Sequence, residues 1–224
     1  MAATEEVTLL DLWASPFGQR CRIALAEKKV EYEYIEQNLA DKSELLLRSN
    51  PVHKKIPVLL HAGRSICESL LIVEYIDETW PSPSPLLPAD DPYARARARF
   101  WARYVDDKLF DCQTRLWKLK SGEPAHEQAK EDLVQALTTL EAELGDRDYF
   151  GGEAFGFVDV ALVPFTAWFH TYEKFGGGVA EELCPRLVAW AHRCKERNSV
   201  AMAIADPHKL YDFVLYLKQK FGAK

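Results

Sequence analysis

A cluster of prolines divides this sequence into two parts that carry different hydrophobic patterns. The cluster consists of Pro81, Pro83, Pro85, Pro88 and Pro92. Each proline removes a backbone donor and fixes φ, so a helix that precedes the cluster has to end there. We therefore predict a linker over residues 83–92, between a first domain at residues 1–82 and a second domain at residues 93–224.

The first domain alternates strand-like and helix-like patterns. Val7 to Trp13 is an apolar, β-favouring run that ends in Ala14-Ser15-Pro16, and an apolar stripe at helical spacing then continues to Lys28. The following predicted elements are a strand at 31–36, a helix at 43–48, strands at 56–60 and 65–66, and a helix at 69–80. A parallel crossover followed by a hairpin predicts a thioredoxin-like α/β domain with a mixed four-stranded sheet.

The second domain has a helical pattern almost throughout. Helices are predicted at residues 93–120, 126–144, 157–174, 186–197 and 207–219. Gly156 stands at the N-cap of the third of these helices, and Asp159 follows in its first turn, which we interpret as a folding signal. The sequence therefore predicts an all-α C-terminal domain.

Composition and charge exclude several classes of function. The 28 Lys and Arg residues are outnumbered by 34 Asp and Glu residues, so we expect no nucleic acid partner. No apolar run has the length of a membrane span, and the acidic N-terminus lacks the features of a secretory signal. The five cysteines lack CxxC spacing and the six histidines lack ligand spacing, so we expect reduced thiols, no metal and a cytosolic location.

Ser15 is the first candidate for chemistry. Ser15-Pro16 is an ordinary pairing of an N-cap with a proline at the first helical position, and taken alone it needs no catalytic explanation. The same geometry places a hydroxyl beside the exposed amides of a helix N-terminus, which suits an anion such as a thiolate. A thioredoxin-like redox protein would carry CxxC here, so disulfide exchange by that motif is excluded.

Four motifs together resemble the plant tau class of glutathione transferases. They are S-P-F-G-Q-R at 15–20, N-P-V-H-K-K-I-P-V-L at 50–59, C-E-S-L at 67–70 and F-V-D-V-A-L-V-P at 157–164. The resemblance runs over the whole length of the chain. It implies the glutathione transferase fold, conjugation of glutathione to apolar electrophilic compounds in detoxification, a twofold homodimer, and no cofactor besides glutathione as co-substrate.

The resemblance also assigns roles at the glutathione sulfur and the cysteinyl backbone. Ser15 would activate the thiol. The peptide bond between Ile56 and Pro57 would be cis, and the Ile56 backbone would pair with glutathione like an added strand. From the residues alone, an ordinary proline at the start of a strand explains Pro57 equally well.

The two ends of glutathione are assigned in the same way. Ser69, as the N-cap of the third helix, and Glu68 would hold the γ-glutamyl group, while Lys42 and Lys55 would bind the glycyl carboxylate. A plain helix cap and solvated surface lysines are the alternatives that the residues alone leave open.

The resemblance places the electrophile pocket on residues from both domains. They are Leu12, Phe17, Tyr104, Trp168 and Leu215. Aromatic residues at helical spacing are also typical of a helix core, so this assignment has a structural alternative. Two other functions remain open: a carrier that binds apolar ligands without turnover, and a cysteine-dependent reductase, for which we expect Cys21 and Cys67 to be too buried.

Overall fold

The computed structural model describes residues 6–176 and 180–221. It divides the chain after Leu87 into two compact units, Met1–Leu87 and Pro88–Lys224. The first is an α/β unit and the second is helical, as the sequence predicts. Within the described residues, none of the helices combines the length and the apolar character that a membrane span needs.

The first unit contains a mixed four-stranded sheet in the order β2-β1-β3-β4. Strand β1 pairs in parallel with β2 and antiparallel with β3, which pairs antiparallel with β4. The thioredoxin-like prediction is thus confirmed. Its elements are β1 Val7–Asp11, α1 Pro16–Glu27, β2 Glu33–Glu36, α2 Glu44–Ser49, β3 Val58–His61, β4 Arg64–Cys67 and α3 Ser69–Thr79.

The central strands form the core of this unit because apolar side chains cover them. Leu9, Leu10 and Leu59 are fully buried, and Leu46 of α2 packs with Leu10 in one cluster. Strand β3 begins at Val58 and not at residue 56 as predicted. Residues 56 and 57 therefore lie in the loop that precedes β3, outside the ladder of the sheet.

The end of the first unit is anchored by Asp77 on α3. Its carboxylate accepts hydrogen bonds from the backbone N–H groups of Leu86 and Leu87, both at 2.9 Å. The Lys28 ammonium lies 2.6 Å from the same carboxylate and also donates to Ser82 Oγ at 2.8 Å. Leu86 and Leu87 are buried, which explains why the proline-rich segment packs with the first unit up to that point.

In the second unit, two of the five predicted helices are interrupted by helical turns of another type. The predicted helix 93–120 contains a π-helical turn at Val105–Leu109, where Phe110 N–H donates to the Val105 carbonyl five residues earlier. Its α-helices are α4 Pro92–Tyr104, α5 Phe110–Lys118, α6 Pro124–Leu144, α7 Phe157–Leu162, α8 Phe169–Lys174, α9 Ala180–Leu183, α10 Pro185–Lys195, α11 Asn198–Ala203 and α12 Pro207–Phe221.

A 3-10 helix, Val163–Trp168, interrupts the predicted helix 157–174. Pro164 has no N–H to donate to a carbonyl four residues earlier, so the α-helical ladder cannot continue through it. Within this segment, Thr166 Oγ1 donates to the Val163 carbonyl at 2.8 Å. The pattern also missed α9 and α11, which are too short to show a helical period.

Asp159 joins the start of α7 to its surroundings in the second unit. Its carboxylate accepts hydrogen bonds from Phe150 N–H at 3.0 Å, Gly156 N–H at 2.8 Å and Trp190 Nε1–H at 2.7 Å. Gly156 is the N-cap, as predicted, and because it has no side chain only the Asp159 half of a capping box is present. Burial raises the pKa of Asp159 to about 6, and the three hydrogen bonds oppose this rise. Asp159 has a structural role.

Candidate functional site

Ser15 occupies the N-cap of α1, directly after the turn that follows β1. Its backbone N–H donates to the Leu12 carbonyl at 2.8 Å, which closes that turn. Ser15 Oγ accepts a hydrogen bond from Gly18 N–H at 3.2 Å, so the hydroxyl proton is not used in that bond. Pro16 takes the first helical position, where no N–H is needed. A half-buried hydroxyl donor therefore stands at the positive end of a helix.

Asn50 holds the loop that carries Ile56. Its buried side chain bonds the loop twice: Nδ2 donates to the Lys55 carbonyl at 2.9 Å, and Oδ1 accepts from His53 N–H at 3.1 Å. The peptide bond between Ile56 and Pro57 is cis, the geometry expected from the resemblance. Pattern reasoning did not assign a role to Asn50, although this residue opens the second motif.

Glu68 and Ser69 stand at the start of α3, but in roles that differ from the prediction. Ser69 is the first helical residue and not the N-cap; Glu68 holds the cap position with φ 71° and ψ 114° and makes no side-chain capping bond. A left-handed φ is strained for a residue other than glycine, and such strain is frequent at functional sites. The exposed Glu68 carboxylate and the buried Ser69 hydroxyl are adjacent at a helix N-terminus.

Arg20 connects the starts of α1 and α3. Its side chain is buried, and Nη1 donates a hydrogen bond to Ser69 Oγ at 3.1 Å. The guanidinium carbon also lies 5.1 Å from the centroid of the Phe17 ring. Sequence reasoning missed Arg20, yet a signal was present, since this charged residue lies between Phe17 and Cys21, which both belong to the apolar stripe of α1. Arg20 orients Ser69 from within the protein.

Lys42 and Lys55 are both exposed side chains of the first unit. Lys42 Nζ donates to the Lys54 carbonyl at 2.8 Å, which places this ammonium against the peptide group that joins Lys54 to Lys55. One surface cation therefore lies just before α2 and bonds to the loop that precedes Ile56, and the other belongs to that loop. A flexible ammonium near solvent suits a terminal carboxylate.

Comparisons with known proteins agree with this geometry. Residues 5–78 match the family model described as "Glutathione S-transferase, N-terminal domain", and residues 123–193 match the one described as "Glutathione S-transferase, C-terminal domain". The probable glutathione S-transferase GSTU1 of rice (Oryza sativa subsp. japonica) is 58% identical over 233 aligned positions, which cover 100% of both chains.

Solved structures place the whole chain in the same group. The crystal structure of rice GST1 (OsGSTU1) in complex with glutathione has a TM-score of 0.92 and 57% identity, and the match covers 98% of this chain and 99% of that one. The tau class glutathione S-transferase MiGSTU from mango (Mangifera indica) has a TM-score of 0.88 and 41% identity, with coverage of 95% and 98%. The chain belongs to the tau class of the glutathione transferase family.

The residues predicted to contact the electrophile in this transferase lie in both units. Leu12 and Phe17 belong to the first unit, are half-buried, and flank Ser15 in sequence. Leu12 is in the turn before Ser15, while Phe17 is in the first turn of α1. Their assignment to the pocket stays a prediction.

In the second unit, three further residues were assigned to that pocket. Tyr104 is the last residue of α4 and is half-buried, as are Trp168 and Leu215. The Trp168 ring stacks on Tyr172 with centroids 6.3 Å apart and an interplanar angle of 17°. The assignment of these three residues to the pocket stays a prediction.

The cysteines of this transferase are poor candidates for redox chemistry. Cys21 is buried as predicted, but Cys67 is only half-buried, because it lies at the end of strand β4 at the edge of the sheet. Burial raises the pKa of the thiol at Cys21, Cys67, Cys112, Cys184 and Cys194. A high pKa lowers the thiolate fraction, and the thiolate is the reactive species.

Proposed function

We propose that this glutathione transferase uses Ser15 to activate its co-substrate. The Ser15 hydroxyl donates a hydrogen bond to the glutathione sulfur and favours the thiolate, which attacks an electrophilic carbon of an apolar compound. The observation that carries this proposal is the position of Ser15 Oγ at the N-terminus of α1, where it accepts from Gly18 N–H and keeps its own proton to donate. The reaction requires no metal and no cofactor besides glutathione.

The energy required lies within reach of this arrangement. Lowering a thiol pKa from about 8.5 to about 6.5 needs roughly 2.7 kcal/mol of preferential thiolate stabilisation. A hydrogen bond to a charged group contributes about 1.5–3 kcal/mol. A helix N-terminus adds about 0.3–1 kcal/mol. The hydroxyl and the helix end together can therefore supply the shift.

The rest of the proposed glutathione site follows the chain along one unit. The backbone of Ile56 pairs with the cysteinyl backbone, Glu68 and Ser69 hold the γ-glutamyl group, and Lys42 and Lys55 bind the glycyl carboxylate. The bond from Arg20 to Ser69 Oγ supports this placement, because it leaves the Ser69 hydroxyl proton available to an anion. Glutathione present in the related rice structure is consistent with the assignment.

The proposal extends to the second substrate and to the assembly. The proposed apolar contacts for the electrophile are Leu12 and Phe17 of the first unit and Tyr104, Trp168 and Leu215 of the second. The enzyme acts in the cytosol as a homodimer that detoxifies apolar compounds. Equilibrium sedimentation tests the dimer, and mass spectrometry of conjugates formed from a panel of electrophiles tests the substrate class.

The competing carrier function is distinguished by turnover. The test is an assay of conjugation between glutathione and an activated aryl halide, with Ser15→Ala and Ser15→Thr as matched variants. Near neutral pH, Ser15→Ala should lower kcat/KM by up to about 25-fold, since the thiolate fraction at pH 7 falls from about 0.76 at a pKa of about 6.5 to about 0.03 at a pKa of about 8.5. Ser15→Thr keeps a hydroxyl and an N-cap and should retain more of the activity.

The pH profile of kcat/KM then identifies the donor. In Ser15→Ala the apparent pKa of the bound thiol should rise towards the value of free glutathione. An unchanged apparent pKa would show that another group activates the sulfur. Binding of glutathione without turnover across several electrophiles would support the carrier instead.

A further inference from the structure

Asp11 is a buried acid directly beneath the catalytic turn. It ends β1, four residues before Ser15, and its side chain has no exposure to solvent. Arg22 supplies a cation beside it, with Nε 3.3 Å from Asp11 Oδ2. Burial raises the pKa of the Asp11 carboxyl to about 7, although Arg22 opposes the rise. A buried carboxyl group in such an environment is costly, and nothing in the proposed chemistry has so far used it.

The Asp11 carboxyl group packs directly against the backbone of Gly18. A Cβ atom added to Gly18 would lie 1.7 Å from Asp11 Oδ1, 2.0 Å from Cγ and 2.1 Å from Oδ2. Gly18 does not have a left-handed φ, so backbone conformation alone does not require glycine at this position. Close approach requires it: the helix can carry no side chain at position 18 while the acid occupies position 11.

Both groups that Asp11 touches are also bonded to the turn that carries Ser15. Gly18 N–H donates to Ser15 Oγ at 3.2 Å. Arg22 Nη2 donates at 2.9 Å to the carbonyl of Trp13, which lies within the turn. Asp11 therefore contacts Ser15 through two short paths, one through the first turn of α1 and one through the arginine.

We propose that Asp11 is a positioning residue for Ser15, because its carboxyl group sets the distance between strand β1 and the first turn of α1. The inference rests on the proposed function, since it assumes that the Ser15 hydroxyl meets the glutathione sulfur. Asp11 itself touches no substrate in this account. It acts through Gly18 and Arg22 on the placement of one hydroxyl group, where a misplacement of about 1 Å can lower a rate by about 100-fold.

Several titratable groups face Asp11 and influence the pH at which it gains its charge. On the β3 side, the residue paired with Leu10, next to Asp11, is Val58, which has no titratable group. The titratable groups that act on it are on α1 and on or just before β2: Arg22, Cys21, Tyr32, Tyr34 and Glu36. A pKa of about 7 means that the carboxyl gains its charge near neutral pH, with the protonated form favoured on the acid side. A neutral replacement of the same shape should therefore match the wild type best below neutral pH.

The test is a double-mutant cycle of Asp11→Ala, Gly18→Ala and the combined variant. Each is measured for kcat, for KM of glutathione, and for the pKa of bound glutathione from the ultraviolet absorbance of its thiolate. Gly18→Ala should lower kcat by about 10- to 100-fold, because the methyl group and the carboxyl cannot share the space. KM of glutathione should change by less than about threefold, since the groups that bind its two ends are untouched.

The combined variant decides the question. Its methyl group at position 18 occupies the volume that the carboxyl group left. We therefore expect kcat to return to within about threefold of the wild-type value, and the thiol pKa to within about 0.5 of it. If the combined variant is no better than Gly18→Ala alone, Asp11 does not set the spacing and the inference is wrong. Asp159→Asn, a matched change at a buried acid of the second unit, should lower stability without moving the thiol pKa.

A second comparison keeps the inference testable if Gly18→Ala does not fold. Asp11→Asn keeps the shape of the side chain and should retain the wild-type thiol pKa, whereas Asp11→Ala should raise it. Equal thiol pKa values in the two variants would overturn the inference. Ser15→Ala in the same series separates the two proposals. If it leaves the thiol pKa unchanged, both serine activation and the inference about Asp11 fail. If it raises the thiol pKa while the double-mutant cycle shows no coupling between positions 11 and 18, only the inference about Asp11 fails.

Discussion

Arg20 Nη1 donates a hydrogen bond to Ser69 Oγ over 3.1 Å, and both side chains are buried. This bond joins the start of α1, which carries Ser15, to the start of α3, which carries Glu68. The proposed sulfur site and the proposed γ-glutamyl site are therefore held by one contact between two helix N-termini. A change at either partner should affect glutathione binding more than the chemical step.

Ser69→Ala should raise KM of glutathione by about tenfold or more, because it removes a donor to a carboxylate. It also leaves a buried guanidinium N–H without its acceptor, which costs about 1–3 kcal/mol. Ser69→Thr is the matched control, because it keeps the hydroxyl. Initial rates and thermal unfolding measure both effects, and a loss confined to kcat would contradict the assigned role.

Local patterns in the sequence were sufficient to predict most of the first unit. A cap residue, a proline at the first helical position and a hairpin turn act within a few residues of one another, so the pattern around Ser15 and the order of the elements could be inferred directly. The bond from Arg20 to Ser69 spans 49 positions and depends on how two helices pack. No local pattern encodes such a contact.

The errors of prediction have physical causes of the same kind. Serine is a preferred N-cap residue, but Glu68 takes the cap position with a left-handed backbone. Glutamate is not typical of that conformation, so the sequence does not indicate it. The predicted helices ran through residues 105–109 and 163–168, because one short π-helical or 3-10 segment does not interrupt an apolar period that is read over a longer window. Asn50 was missed because its role depends on the fold of its loop.

Asn50→Ala should weaken glutathione binding through the Ile56 loop. The change removes the donor to the Lys55 carbonyl and the acceptor of His53 N–H, so the backbone that is proposed to pair with glutathione loses its support. Each lost bond costs about 0.5–1.5 kcal/mol. Asn50→Asp keeps the acceptor and removes the donor, so its loss should be smaller. Calorimetric titration with glutathione measures the affinity, and equal affinities in all three proteins would exclude a role for this loop.

Asp159→Ala should destabilise the protein strongly. It leaves the donors of Phe150, Gly156 and the Trp190 indole without their acceptor in the interior, at about 1 kcal/mol or more for each. The expected total of about 3 kcal/mol corresponds to a fall in Tm of about 6 °C or more. Asp159→Asn keeps one acceptor oxygen and should lose less. A Tm for the alanine variant equal to that of the wild type would show that water replaces the carboxylate.

Asp11→Asn should change how stability depends on pH. The pKa of Asp11 in the folded protein is about 7, which lies above the ordinary value of 3.8. Between these two pH values the folded protein binds more protons than the unfolded chain. The free energy of unfolding therefore falls as the pH rises through this window. The full difference corresponds to about 4 kcal/mol at most. The asparagine variant lacks this pH-dependent contribution, so its free energy of unfolding should rise relative to that of the wild type from pH 4 to pH 7. Denaturant unfolding at a series of pH values measures the difference, and parallel curves would show that Asp11 titrates normally.

Ser15→Cys should exchange one chemistry for another. A thiol at this helix start is expected to have a lowered pKa, and it would lie within reach of the glutathione sulfur. Its thiolate can attack a sulfur of oxidised glutathione, which forms a mixed disulfide with the protein and releases one glutathione thiolate. Thiol-transfer activity should therefore appear.

Conjugation should weaken in the same variant, because the attacking sulfur is either held in the disulfide or no longer supported by a hydroxyl donor. Intact mass spectrometry after incubation with oxidised glutathione, together with assays of both activities, provides the measurement. Ser15→Ala under the same conditions is the control for the other five cysteines, whose raised pKa values should prevent uptake of glutathione. If Ser15→Cys takes up no glutathione and keeps full conjugation activity, the side chain at position 15 does not face the sulfur, and another group must activate the thiol.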